Sequence, residues 1–100
     1  MEKRHHPRIP LRNLFVDASD GFEFCQGRIS DISKSGVCMT DLPKSFSRDA
    51  NEMTAIITGR GKYFRMIVRP KWSTSDDIGQ SVGAEIIDPP LSWKEFILRL

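Results

Sequence analysis

Along most of this chain apolar residues return at every second position, in short runs separated by turn-forming residues. That rhythm restricts the fold more than any other feature, because period two is the side-chain repeat of a half-buried strand. Leu14, Val16 and Ala18 alternate with Phe15 and Asp17 until Ser19-Asp20-Gly21 supplies a turn. Phe22 and Phe24, alternating with Glu23 and Cys25, read as the apolar face opening a second strand, interrupted near Gly27 and resuming through Ile29. Val37 and Met39 alternate with Cys38 and Thr40. Met53, Ala55 and Ile57 run into Gly59-Arg60-Gly61, a hairpin signal. Phe64, Met66 and Val68 alternate with Tyr63, Arg65 and Arg69 until Pro70, which ends the regular pairing or marks an edge. Val82, Ala84 and Ile86 complete the set. The class is mainly β, and these six segments predict a small antiparallel β-barrel, since closure leaves no exposed sheet edge. Residues 43–50 carry no period and read as a loop or a single helical turn.

The period changes at the C-terminus. Pro89-Pro90 stops the last strand, and Ser92 with Glu95 matches a capping box. Trp93, Phe96, Ile97 and Leu100 then fall on one helical stripe, predicting a helix over about 91–100. So short a helix is marginal alone and must dock on the barrel.

A chain of 100 residues with 39% hydrophobic and 28% charged composition is one soluble globular domain with a modest core. No apolar run is long enough to span a bilayer, and the basic N-terminus leads into Pro7-Arg8-Ile9-Pro10 rather than an apolar leader, so a cytoplasmic location is expected. Cys25 and Cys38 fit reduced thiols there. A net charge of +2 gives no case for general nucleic-acid affinity. Its distribution is uneven, however: Lys3, Arg4, Arg8 and Arg12 face only Glu2. Residues 1–12 therefore read as a flexible cationic arm on a barrel of residues 13–100.

Two short motifs lie in this frame, an Arg-x-x-x-Arg at Arg4 and Arg8 and an Asp-x-Ser-x-x-Gly at Asp31, Ser33 and Gly36. Arg8 and Arg12 form a second pair of the first kind. Taken together, in this order and separation, the motifs resemble the ligand signature of PilZ domains, bacterial receptors for the second messenger cyclic di-GMP. Ile9-Pro10 after the second arginine and the late Val82-Gly83-Ala84-Glu85 are similar too, so the likeness spans nearly the whole chain. It implies a six-stranded barrel that binds cyclic di-GMP through Arg4, Arg8, Asp31, Ser33 and Gly36. Lys3, just before the first arginine, is by the same likeness a weaker ligand-binding candidate that biases whether one ligand or a stacked pair is bound.

The residue types suit such a ligand. An arginine fork donates two parallel hydrogen bonds to a phosphate or to a guanine O6/N7 edge. A carboxylate such as Asp31 accepts from the opposite N1–H/N2–H edge, with Ser33 beside it on the same strand face. Gly36 would let the chain turn back with positive φ. Ordering a free arm costs on the order of 1–2 kcal/mol per residue, and charge-assisted hydrogen bonds return roughly 1.5–3 kcal/mol each. The implied mode of action is an arm ordered by ligand, signalling to a downstream protein partner, as a monomer or a ligand-linked dimer.

A basic tail alone is commonly just solvated, and Asp31-Ser33 alone is a strand-ending turn. His5, His6, Cys25 and Cys38 fit no metal-ligand spacing. Gly59-Arg60-Gly61 lacks the rest of a phosphate loop. Trp72 reads chiefly as a packing or partner-facing aromatic, with base stacking the alternative. Nothing resembles a catalytic constellation, so the expectation is a non-enzyme without metal or cofactor. The alternatives are a PilZ-like protein-interaction adaptor with little or no nucleotide affinity and a nonspecific single-strand nucleic-acid binder on a small barrel.

Overall fold

The computed structural model describes residues 8–46 and 51–100. Seven strands and one helix follow in order: β1 (Ile9–Pro10), β2 (Phe15–Ser19), β3 (Phe24–Ile32), β4 (Gly36–Leu42), β5 (Met53–Gly59), β6 (Lys62–Ser75), β7 (Gln80–Ile87) and α1 (Leu91–Leu98). All pairings are antiparallel, in the order β1-β3-β2-β5-β6-β7-β4, and β4 pairs back onto β3. β2 to β7 thus close into the expected six-stranded barrel, with β1 an outer strand along the end of β3. Within the segment read as an arm, Ile9 pairs with Ile32 and Pro10 with Asp31.

The alternation does its work inside. Leu14, Val16 and Ala18, Val37 and Met39, Met53, Ala55 and Ile57, Phe64, Met66 and Val68, and Val82, Ala84 and Ile86 are all buried in one core. The second strand is the exception. Cys25 is buried and Phe24 is 68% exposed, the reverse of the expected faces, and Phe22 is exposed as well. Directly paired residues share a face, and Ala18, fully inside, pairs with Cys25 while Val16 pairs with Gly27. The partner strand therefore fixes the parity against the local hydrophobicity. β3 also runs unbroken through Gly27; its register shift lies further on, between Ile29 and Asp31. A Cβ at Gly27 would meet the Thr40 carbonyl at 2.6 Å, so close strand approach is what that glycine provides.

Pro70 does not end β6, which continues to Ser75; the register shifts between Pro70 and Trp72, so the proline sits at a bulge. Near the aperiodic segment, Phe46 is buried and its N–H donates to the Pro43 carbonyl at 3.0 Å.

The helix forms where expected but starts differently. Pro90 is the N-cap and no side chain caps the N-terminus, so the Ser92–Glu95 box is not made. Pro90 is fixed in extended backbone at φ −67° and ψ 157°, and its carbonyl receives the Trp93 and Lys94 N–H groups, which moves the start ahead of Ser92. Trp93, Phe96 and Ile97 face the barrel, whereas Leu100 lies beyond the last helical turn and is half exposed. Trp93 packs edge-on to Phe64 with ring centroids 5.1 Å apart, and Phe96 lies 5.3 Å from Phe64. Phe64 belongs to the barrel end where the β5–β6 and β3–β4 hairpins turn. α1 closes that end.

Candidate functional site

The Asp31–Gly36 motif occupies the same barrel end. β3 finishes at Ile32, whose side chain points into the core, so Asp31 faces outward. Arg8, just before β1, reaches back over this position, and its Nη1 donates to Asp31 Oδ1 at 2.7 Å. Both side chains are about three-quarters covered, at 25% and 28% exposure. Pairing of Pro10 with Asp31 sets this geometry, because it lays the chain from Arg8 onward alongside the end of β3. Among the described residues one of the five guanidinium donors is spent on the pair, and the fork stands on a fixed base. Ser30 Oγ lies 3.4 Å from Asp31 Oδ2 and 3.4 Å from the Cys38 carbonyl.

Ser33 and Gly36 are held within the turn itself. Ser33 is buried, its N–H donates to the Gly36 carbonyl at 2.9 Å, and its Oγ accepts the Ser35 N–H at 3.3 Å. The strand has ended by then, so Ser33 does not stand beside Asp31 on an open face. Its carbonyl accepts the Trp93 indole N–H at 3.0 Å, tying the motif's turn to the closing helix. Gly36 does not have the positive φ expected of it; among the described glycines Gly21, Gly59 and Gly61 do. It instead pairs with Glu85, and a Cβ there would lie 3.2 Å from the Ala84 carbonyl and 3.5 Å from Ser33 Oγ. Proximity to the Ala84 carbonyl, not turn geometry, is what makes a side chain tight here.

Strand register extends the site beyond the two motifs. Pro10 pairs with Asp31, Asp31 with Cys38, Cys38 with Gly83, and Gly83 with Trp72. Because Val37, Met39, Val82 and Ala84 point inward, this row lies on the barrel's outer face. Neighbouring strands stand about 4.8 Å apart, so Asp31 and Trp72 are separated by roughly 14 Å of backbone. Between them lie only a thiol and a glycine. The Trp72 indole lies across Gly83, so closely that any Cβ there would overlap it, and the ring is 43% exposed. The result is an outer shelf with an Arg8–Asp31 pair at one end and an indole at the other, and between them a buried thiol and a glycine that the indole covers. Arg69 and Lys71 lie alongside, 3.9 and 3.5 Å from Glu85 Oε1. In sequence Trp72 reads chiefly as a packing or partner-facing aromatic after Pro70, and only its pairing with Gly83 places it at the end of this row.

Burial raises the Cys38 thiol above its ordinary range, opposed by the Ser30 hydrogen bond, with Asp31 raising it further and Arg8 lowering it. Cys25 is raised too, by burial and by the Glu23 and Asp20 carboxylates. Both cysteines are free, one facing the core and one the outer surface. Lys3, Arg4, His5 and His6 lie outside the described residues. Among the described residues no cluster of His, Cys, Asp or Glu could hold a metal ion, and no helix is long and apolar enough to cross a membrane.

No family model and no curated protein matches the chain in sequence. Solved structures do match in fold. The chain is similar to the inhibitor of motility MotI/DgrA of Bacillus subtilis, with a TM-score of 0.79 and 14% identity over 99% of this chain and 49% of that one. It is similar to MrkH of K. pneumonia, solved as a complex with cyclic di-GMP, with a TM-score of 0.74 and 19% identity over 99% of this chain and 51% of that one. It is also similar to the PilZ domain of Escherichia coli YcgR, solved with cyclic di-GMP, with a TM-score of 0.72 and 11% identity over 98% of this chain and 88% of that one. This chain therefore spans about half the length of the first two. The fold is that of a PilZ domain.

Proposed function

We propose that this protein is a non-catalytic receptor for cyclic di-GMP, which binds on the outer shelf between Arg8–Asp31 and Trp72. The observation that carries this reading is the 2.7 Å Arg8–Asp31 pair standing at one end of that row, with the half-exposed indole at the other. Two of the similar structures carry cyclic di-GMP, and a guanine dinucleotide asks for what the shelf offers. The remaining Arg8 donors serve a phosphate or an O6/N7 edge. Asp31 Oδ2, which among the described residues has a long 3.4 Å Ser30 contact, accepts from the N1–H/N2–H edge. The indole, seated over Gly83 and half exposed, supplies a stacking surface at the far end of the row from Asp31. In this scheme Ser33 and Gly36 are positioning residues that hold Asp31 at the strand end. Lys3 and Arg4 complete the cationic side and become ordered over the ligand, and the ordered arm presents a surface to a downstream protein.

Pairing of Arg8 with Asp31 before the ligand arrives lowers the ordering cost on binding. In this scheme the ligand acts on the arm residues ahead of Arg8, while Arg8 itself already stands in place. Amide and indole N–H shifts on adding cyclic di-GMP test the assignment. Asp31, Cys38, Gly83 and the Trp72 indole should move together, with the Trp93 indole following through Ser33. Shifts confined to residues away from this row would refute it.

A further inference from the structure

A second concavity of about 450 Å³ opens on the closed barrel end, between the β5–β6 hairpin and α1. Its floor is apolar, made by Phe64 and Phe96, which are almost wholly buried. Its rim carries Tyr63, 65% exposed, and the half-exposed Leu100. Arg60, Lys62 and Arg99 surround it, and Glu95 is the lone carboxylate. None of the three cations forms an ion pair among the described residues. The hairpin holds Arg60 at the rim through a positive φ of 56° flanked by Gly59 and Gly61, which fixes where that charge is presented.

An aromatic floor under uncompensated positive charge fits one kind of occupant: an acidic protein segment carrying a single large apolar residue. Among the lining side chains the charge excess is two, three cations against Glu95, and the volume suits one aromatic or leucine side chain with its flanking backbone. We propose that this groove docks such a segment of a partner protein. This deepens the receptor reading by giving the partner's chemistry, and it rests on that reading only for its dependence on the messenger. A physical connection exists, because Phe64 and Phe96 both pack on Trp93, whose indole holds the Ser33 carbonyl of the motif turn. A change in the turn is thus transmitted to the groove floor through packed rings.

The test uses an array of synthetic octapeptides rich in Asp and Glu with one central Phe, Tyr or Leu, probed with the full chain with and without cyclic di-GMP. The strongest peptide is then titrated into isotope-labelled protein. Shifts should fall on Lys62, Tyr63, Phe96 and Arg99, and the Arg60→Glu/Lys62→Glu variant should bind at least tenfold more weakly with an unchanged thermal transition. The same variant should bind cyclic di-GMP as the parent does, so a failed groove and a failed receptor reading give different results. The proposal is overturned if acidic peptides bind no better than uncharged ones or shift other surfaces. It is equally overturned if an oligouridylate or phosphatidylglycerol vesicles engage these residues more tightly than any peptide.

Discussion

Replacing Trp93 with phenylalanine isolates the joint between the motif turn and the closing helix. The indole N–H is the donor to the Ser33 carbonyl at 3.0 Å, and both Ser33 and Trp93 are buried. Phenylalanine keeps an aromatic ring against Phe64 but leaves that carbonyl unpaired, which costs about 1–3 kcal/mol. The smaller ring also leaves unfilled space, and at the cavity costs known for large-to-small core changes this adds about 1 kcal/mol or somewhat more. The sum is about 2–4 kcal/mol. In a domain of this size each kcal/mol moves the midpoint by about 4–8 °C, so Tm should fall by roughly 8–30 °C. Thermal unfolding followed by far-UV circular dichroism measures this, and Trp72 remains as a fluorescence probe. Hydrogen exchange adds a local readout: the Ser33 and Ser35 amides should lose protection beyond the global loss seen at Ala55. A destabilisation under about 1 kcal/mol with unchanged exchange at the turn would show that the indole hydrogen bond is not what holds it.

Other expectations concern the shelf. Asp31→Ala should weaken cyclic di-GMP binding at least tenfold while moving the ligand-free Tm by only a few degrees, as a partly exposed ion pair contributes little to stability; calorimetry and melting curves on one sample check both. Gly83→Ala should displace the Trp72 indole, red-shift its emission and weaken the ligand, and an unchanged spectrum would mean the ring does not rest where the structure has it. Cys38 titrates above its ordinary range when folded, so its contribution is complete below the unfolded thiol value of about 8.5 and is lost as pH rises through the folded value. Comparing unfolding free energies of wild type and Cys38→Ala from pH 8 upward should show a steeper alkaline decline in the wild type; parallel curves would refute the burial effect.

Much of the barrel was legible in sequence because a closed sheet imposes period two on every strand, and five of the six barrel strands carry it on the expected face. β3 misled the reading through its own aromatics. Phe22 and Phe24 look like core residues, yet the pairing of Ala18 with Cys25 places Phe24 outside, and cross-strand register has no signature in a single strand. The bulge after Ile29 and the continuation of β6 past Pro70 are likewise properties of paired strands. At the site, Arg8 and Asp31 were readable as charge chemistry. Gly36 was readable as a glycine, but its reason, the Ala84 carbonyl at 3.2 Å from any added Cβ, belongs to a strand almost fifty residues away. The placement of Trp72 in line with Asp31 emerges only when β6, β7, β4 and β3 lie side by side.

Calorimetric titration of cyclic di-GMP into the wild-type chain and into Arg8→Ala, with GTP as the control, tests the receptor reading most directly. Saturable binding of the cyclic dinucleotide alone, weakened at least tenfold in the variant while its fold survives, is the expected result. Equal affinity in both proteins, or no heat from the dinucleotide at all, would contradict it.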